Sequence, residues 1–196
     1  SALLLFCLAT TARAQTIRPE AIGSNLILSA VEKYNERDIE GALALLKDKK
    51  EFSNIHYLIC GRGEMWESLE NSAKELGISD HVNFLGYRTD ARELYKASDL
   101  FAFVTFREGL SVALMEAMSS GMCIVCTKIR GNVDLIEDGV SGRFTENNPE
   151  ALAEHIVKLY SDPELRRTLG AGAAEKAKLY EEASVHARMK EIYLSV

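Results

Sequence analysis

The stretch LFAFVTFREGLSVALMEAMSSGMCIVC, residues 100–126, reads as strand, turn, helix, glycine stop and second strand. Leu100 to Phe106 is almost wholly apolar, as a parallel strand covered on both faces should be. Ser111 to Ser120 follows as a helix, with Ser111 able to cap it and Gly121 closing it. Met122 to Cys126 is again apolar. Strand, helix and strand in such quick succession form the repeating unit of an open α/β sheet.

The same cycle continues outward on both sides. Ile55 to Cys60 is a short apolar strand that meets a turn at Gly61-Arg-Gly63. Met65, Leu69, Ala73 and Leu76 then recur at helical spacing up to Gly77. His81 to Leu85 reads as a strand closed by Gly86, and Asp90 to Ala97 as a helix. On the far side, Asn132 to Glu137 forms a short helix before Asp138-Gly139, and Arg143 to Thr145 a last short strand. Asn148-Pro149 and Asp162-Pro163 each place a capping side chain before a proline at the first helical position. Leu152, Ile156 and Leu159 form one apolar stripe, and Val185, Met189 and Ile192 or Tyr193 another. Asn25 to Lys47 reads mainly as helix, with Ile39, Leu43 and Leu46 on its apolar side. The expected fold is a Rossmann-like open parallel sheet with helices on both faces and a helical C-terminal tail.

Of 196 residues, 47% are hydrophobic and 27% charged, which is globular composition and fits one domain with a short appendage. Residues 25–196 form that domain, its pattern clear from about 55, and 1–24 stand apart as a leader or a fragment boundary. Ser1 to Ala12 is apolar and is followed by Ala12-Arg13-Ala14-Gln15, which resembles a signal-peptidase site, but no basic segment precedes it. No apolar stretch reaches the roughly 18 residues of a spanning helix. The remainder suits a cytoplasmic protein, including one working at the inner face of a membrane. A net charge of −6 with interspersed signs gives no footprint for nucleic acid.

Cys7, Cys60, Cys123 and Cys126 lie in apolar runs, so reduced structural thiols are expected. Cys123 and Cys126 have the spacing of a metal or redox pair. In a strand, however, positions three apart point to opposite faces and do not converge on one ion. The histidines at 56, 81, 155 and 186 are scattered and read as structural or surface residues.

In open α/β sheets, ligands bind beyond the carboxyl ends of the strands. That rule directs attention to the turns at 61–63, 86–87, 106–111 and 128–132. The third joins the most apolar strand to a helix. Backbone N–H groups at Gly109 to Ser111, with the positive end of the helix dipole, suit a phosphate or a set of sugar hydroxyls. Glu108 stands just before the turn. Glu116 lies inside the helix among Leu114, Met115, Ala117 and Met118, and helical side chains lean back toward the N-terminus. A carboxylate accepts two hydroxyl hydrogens, so both acids suit a diol. Unaided, these features define a binder of polyols or nucleotides.

The run Glu-Gly-Leu-Ser-x4-Glu-Ala-Met-x-x-Gly, residues 108–121, closely resembles the E-x7-E signature of family 4 retaining glycosyltransferases of the GT-B fold. The resemblance spans about 55–196. It includes Gly61-x-Gly63, Val82-x-Phe84-x-Gly86, Ala97-Ser-Asp99, Ile129-Arg-Gly-Asn-x-Asp134 and Asp138-Gly-x-x-Gly142, and is nearest to capsule or exopolysaccharide transferases. It implies the nucleotide-sugar-binding half of a hexosyltransferase that moves a sugar from a nucleotide diphosphate, such as UDP, to a glycan or lipid-linked acceptor. Glu108 would hold the donor sugar for reaction, and the amides of Gly109, Leu110 and Ser111 would meet sugar or diphosphate. Glu116 would grip the ribose, and Gly86 and Tyr87 would border the base. No bound metal or other cofactor is implied.

The chain departs from the pattern at the diphosphate clamp. Aligning Asn35-Glu36-Arg37 with the family places Glu32 at the usual glycine, Lys33 at the arginine and Asp38 at the lysine. Lys33 thus remains as the expected phosphate ligand, while an acid at 38 repels phosphate. GT-B enzymes also react between two similar domains, and this length holds one. The alternative is therefore a truncated, non-catalytic binding or interaction module that needs an N-terminal acceptor-domain chain. An epimerase or hydrolase would need convergent acids and histidine, which are not found. A dehydrogenase would need G-x-G-x-x-G after the first clear strand, where Gly63 is followed instead by Glu-Met-Trp.

Overall fold

The computed structural model describes residues 26–31, 36–49, 52, 54–61 and 65–195. Its strands are β1 (Leu26–Val31), β2 (Ile55–Cys60), β3 (Val82–Gly86), β4 (Leu100–Phe103), β5 (Cys123–Thr127) and β6 (Arg143–Thr145). They form one sheet in the order β3-β2-β1-β4-β5-β6, and every pairing is parallel. Between and after them come α1 (Glu36–Leu46), α2 (Trp66–Glu75), α3 (Ala91–Ala97), α4 (Val112–Ser119), α5 (Asn132–Leu135), α6 (Pro149–Ser161), α7 (Pro163–Ala177) and α8 (Glu182–Leu194). This strand order is that of the doubly wound dinucleotide-binding folds, and it reverses between β1 and β4.

The expected α/β architecture is therefore observed, with one correction. The expected helix over 25–47 divides into a strand, β1, and a helix, α1. β1 pairs with β2 on one side and β4 on the other. A short, largely apolar run of this kind cannot be told from buried helix by periodicity. The helical part is as expected, with Ile39, Leu43 and Leu46 buried.

The two faces of the sheet are separate cores, and alternation along each central strand feeds both. Leu100, Ala102, Cys123 and Val125 pack on one side with Leu43 of α1 and Ile156 of α6. Phe101, Phe103, Ile124 and Cys126 pack on the other with Leu114 and Met118 of α4 and Ala173 of α7. Cys123 and Cys126 thus lie in different cores, and neither forms a disulfide. Both prolines open their helices as expected: Asn148 accepts from the N–H of Ala151 at 2.8 Å, and Asp162 from that of Leu165 at 2.9 Å.

Close approach explains three glycines. A Cβ at Gly41 of α1 would stand 2.7 Å from the ring of Pro149 in α6. In α7, a Cβ at Gly170 would stand 2.1 Å from the carbonyl oxygen of Gly121, and one at Gly172 2.0 Å from that of Val140. The stripe expected in the last helix is present but not covered: α8 buries no residue, and Val185, Met189, Ile192 and Tyr193 are exposed. Among the described residues, no helix is long and apolar enough to cross a membrane.

Candidate functional site

β4 lies beside the point where strand order reverses, and the chain leaving it carries Glu108. The β4–β5 ladder ends at the pair Phe103 and Cys126, three residues short of the expected strand end. Side chains then take over. The Thr127 hydroxyl accepts from the Thr105 N–H at 3.1 Å and donates to the Thr105 carbonyl at 2.7 Å. Asn132 of α5 in turn donates from its amide to the Thr127 carbonyl at 2.9 Å. All three residues are buried, so these hydrogen bonds satisfy main-chain groups that water does not reach. Sequence reasoning missed this set, because a threonine at a strand end carries no pattern until the register of its neighbour is known.

Beyond that bridge the chain turns outward. Phe106, Arg107, Glu108 and Gly109 on the β4–α4 connection, with Ile129 and Arg130 on the β5–α5 connection, line an open cleft of about 500 Å³. The two connections touch at Gly131, whose φ is +94°. A Cβ there would stand 2.0 Å from the carbonyl oxygen of Gly109 and 2.9 Å from that of Glu108. Only glycine fits, for conformation and for space alike. Gly109 itself has open surroundings, with nothing within 4 Å of a Cβ built on it. That leaves its backbone free for close approach by a ligand.

α4 begins at Ser111, which is buried and accepts from the Leu114 N–H at 3.3 Å. The N-terminal cap is thus as expected, and the exposed Gly109 and Leu110 lead directly into it. Glu116 is half-buried in the middle of α4. Burial raises its pKa above the ordinary carboxylate range, opposed by the neighbouring Tyr95 hydroxyl. The Tyr95 ring is buried against Phe101, and its O–H donates to the Ala113 carbonyl at 3.0 Å. The phenol pKa is pushed up by burial first and by the nearby Glu116 charge second. Tyr95 of α3 thus ties itself to the α4 backbone one turn before Glu116 and lies beside that carboxylate, and it too escaped sequence reasoning.

The third strand end supplies Gly86, at φ +68°, and Tyr87, which is half-exposed. The Gly61 N–H donates to the Gly86 carbonyl at 3.0 Å, joining the ends of β2 and β3. Structure thus brings Glu108, Gly109, Leu110, Ser111 and Glu116 together on one connection and its helix. Gly86 and Tyr87 follow β3, at the same carboxyl edge of the sheet. Lys33, the expected phosphate ligand, lies outside the described residues, as do Cys7 and the turn residues 62–63. Among the described residues no three His, Cys, Asp or Glu side chains gather as a metal site would.

Together these features define a Rossmann-like domain whose cleft opens at the carboxyl edge of its sheet, beyond β4 and β5. The sequence model of the glycosyl transferases group 1 family matches residues 14–176, and the chain belongs to that family. EpsD of Bacillus subtilis is 32% identical over 160 residues, which are 81% of this chain and 42% of that protein. The N,N'-diacetylbacillosaminyl-diphospho-undecaprenol alpha-1,3-N-acetylgalactosaminyltransferase of Campylobacter jejuni is 30% identical over 86% of this chain and 43% of its own length. The chain thus spans less than half the length of these relatives. Among solved structures, Anabaena HepE in complex with UDP-glucose shares the fold with a TM-score of 0.79 at 22% identity, covering 95% of this chain and 54% of that one. The C-terminal domain of the group 1 glycosyl transferase LpcC of Francisella tularensis gives a TM-score of 0.70 at 19% identity and is covered over 95% of its length.

Proposed function

We propose that this domain binds the nucleotide-diphosphate sugar in a retaining hexosyl transfer to a glycan or lipid-linked acceptor. One observation carries the reading. Glu108, the open backbone of Gly109 and the capped start of α4 stand together beyond β4, with Glu116 on the same helix beside Tyr95. Free amides and the helix dipole meet a diphosphate, and Glu108 accepts hydrogen bonds from hydroxyls of the sugar. Glu116 accepts from the ribose diol, and Gly86 and Tyr87 border the base. Lys33 adds positive charge at the diphosphate.

The HepE complex supports UDP as the nucleotide. The name of the Campylobacter relative supports a lipid-linked diphosphate acceptor, hence work at the cytoplasmic face of a membrane in polysaccharide biosynthesis. In this reading the leaving diphosphate is stabilised by main-chain donors and side chains, with no tightly bound metal or other cofactor. In this reading the domain supplies one wall of the reaction cleft, and transfer requires an acceptor domain as the other wall to position the acceptor and exclude water.

Calorimetric titration of UDP into the wild type and Glu116→Ala tests the donor site. Weaker binding by the variant is expected, and equal affinity overturns the assignment. Sugar transfer that appears only when an acceptor domain is present supports that requirement.

A further inference from the structure

The cleft of about 500 Å³ has an electrostatic character that the donor-site residues do not use. Arg107 enters it from the β4–α4 connection and Arg130 from the β5–α5 connection, and both side chains are exposed. Neither guanidinium has an ion-pair or hydrogen-bond partner among the described residues, whereas Arg88, Arg143, Arg166 and Arg167 each face an acid. Lys128, two residues before Arg130, is exposed as well and lies 5.9 Å over the Phe144 ring. Glu108 is the one acid among the lining residues. A chain of net charge −6 has therefore placed two unpaired guanidinium groups at one concavity beside the residue that would hold the transferred sugar. Low-dielectric walls around like charges focus their field into a cleft.

We infer that Arg107 and Arg130 form a cationic clamp for a phosphate or diphosphate group brought to Glu108. The planar fork of each guanidinium matches two oxygens of such a group, and two forks on separate connections hold it from two sides. The contact at Gly131 fixes the spacing of those connections, since it seats the β5–α5 turn on the Glu108–Gly109 backbone. The clamp supplies positive charge that Asp38 withholds from the position where the family resemblance places a lysine. The inference deepens the donor-site reading, and the phosphate has two possible sources: the diphosphate of the nucleotide sugar, or a phosphate on the acceptor.

The test uses the full chain with two probes, UDP and inorganic pyrophosphate, on the wild type and on Arg107→Gln with Arg130→Gln. Arg188→Gln, an exposed change on α8, serves as the charge-matched control, and unchanged melting temperatures establish folding. Pyrophosphate affinity is expected to fall by roughly tenfold or more in the double variant, as loss of charge-assisted contacts implies. Its dependence on salt should fall in parallel. If UDP competes with pyrophosphate, the clamp holds the donor diphosphate; if pyrophosphate still binds the UDP-saturated chain, it holds the acceptor phosphate. Equal pyrophosphate binding by wild type and double variant, or none by either, overturns the clamp. Weak UDP binding in Glu116→Ala would leave the donor site standing in that case.

Discussion

The carbonyl oxygen of Gly109 occupies the space that a side chain on Gly131 would need, with 2.0 Å between that oxygen and the position of a Cβ. Two connections from neighbouring strands are thereby fitted backbone to backbone, and the fit decides where Glu108 emerges. Gly131→Ala must move one connection and also strain a φ of +94°. A loss of about 2 kcal/mol is expected in urea unfolding, together with weaker UDP binding. Gly109→Ala separates the two effects. It meets nothing within 4 Å and should leave stability near wild type while obstructing the ligand.

Thr127→Val keeps the shape of the side chain and removes its hydroxyl. The Thr105 N–H and carbonyl lose their partner in a buried setting. Stability should fall by about 1–3 kcal/mol, the cost of stranding a buried polar group. Thr127→Ser retains the oxygen and should recover most of the loss, as urea midpoints will show.

Glu116 sets a pH dependence. Its folded pKa is raised by burial above the unfolded carboxylate value, so the folded state binds more protons between the two. Stability contributed by this group must therefore fall as pH rises through that window, from about 4.3 upward. Glu116→Gln removes the titration. The variant should melt higher than wild type at pH 7, and the difference should shrink toward zero below pH ~4. Melting curves across that range check the sign. Calorimetry should show the same variant binding UDP more weakly, because an amide accepts fewer hydroxyl hydrogens than a carboxylate.

The thiols of Cys60, Cys123 and Cys126 are buried, and burial pushes the first two up to about 12 and the third higher still. The thiolate is the reactive form. These three should resist alkylation in the native chain at pH 8 and become labelled together on unfolding. Mass spectrometry of pulse-labelled protein reads the result residue by residue. Early labelling of Cys123 without Cys126 would show that the two cores open separately.

Much of the fold was legible because its signals are local. Prolines behind Asn148 and Asp162 announce helices, and the observed caps follow them. Apolar runs closed by glycine at 86 and 121 announce strand and helix ends, and both glycines have positive φ. β1 was illegible for the opposite reason: its six residues, apolar but for Ser29, show no clear alternation and look like the beginning of the helix that follows. At the site, Glu108, Ser111 and Glu116 could be found because they share one turn and one helix. Tyr95, Thr127 and Gly131 could not be placed by spacing, since each acts on a residue from another part of the chain. Gly131 was visible only within a family motif, and its role appears in the contact with Gly109.

Because Gly170 and Gly172 carry no side chains, α7 rests directly on the peptide groups of Gly121 and Val140. The first of these closes α4, so a downstream segment props the far end of the rod on which Glu116 is mounted. Enlarging either glycine would push on that prop and tilt the rod. The carboxylate would shift in height above the sheet although the altered residue lies in another helix, and tolerance to substitution along α7 becomes a gauge of how finely that height is set.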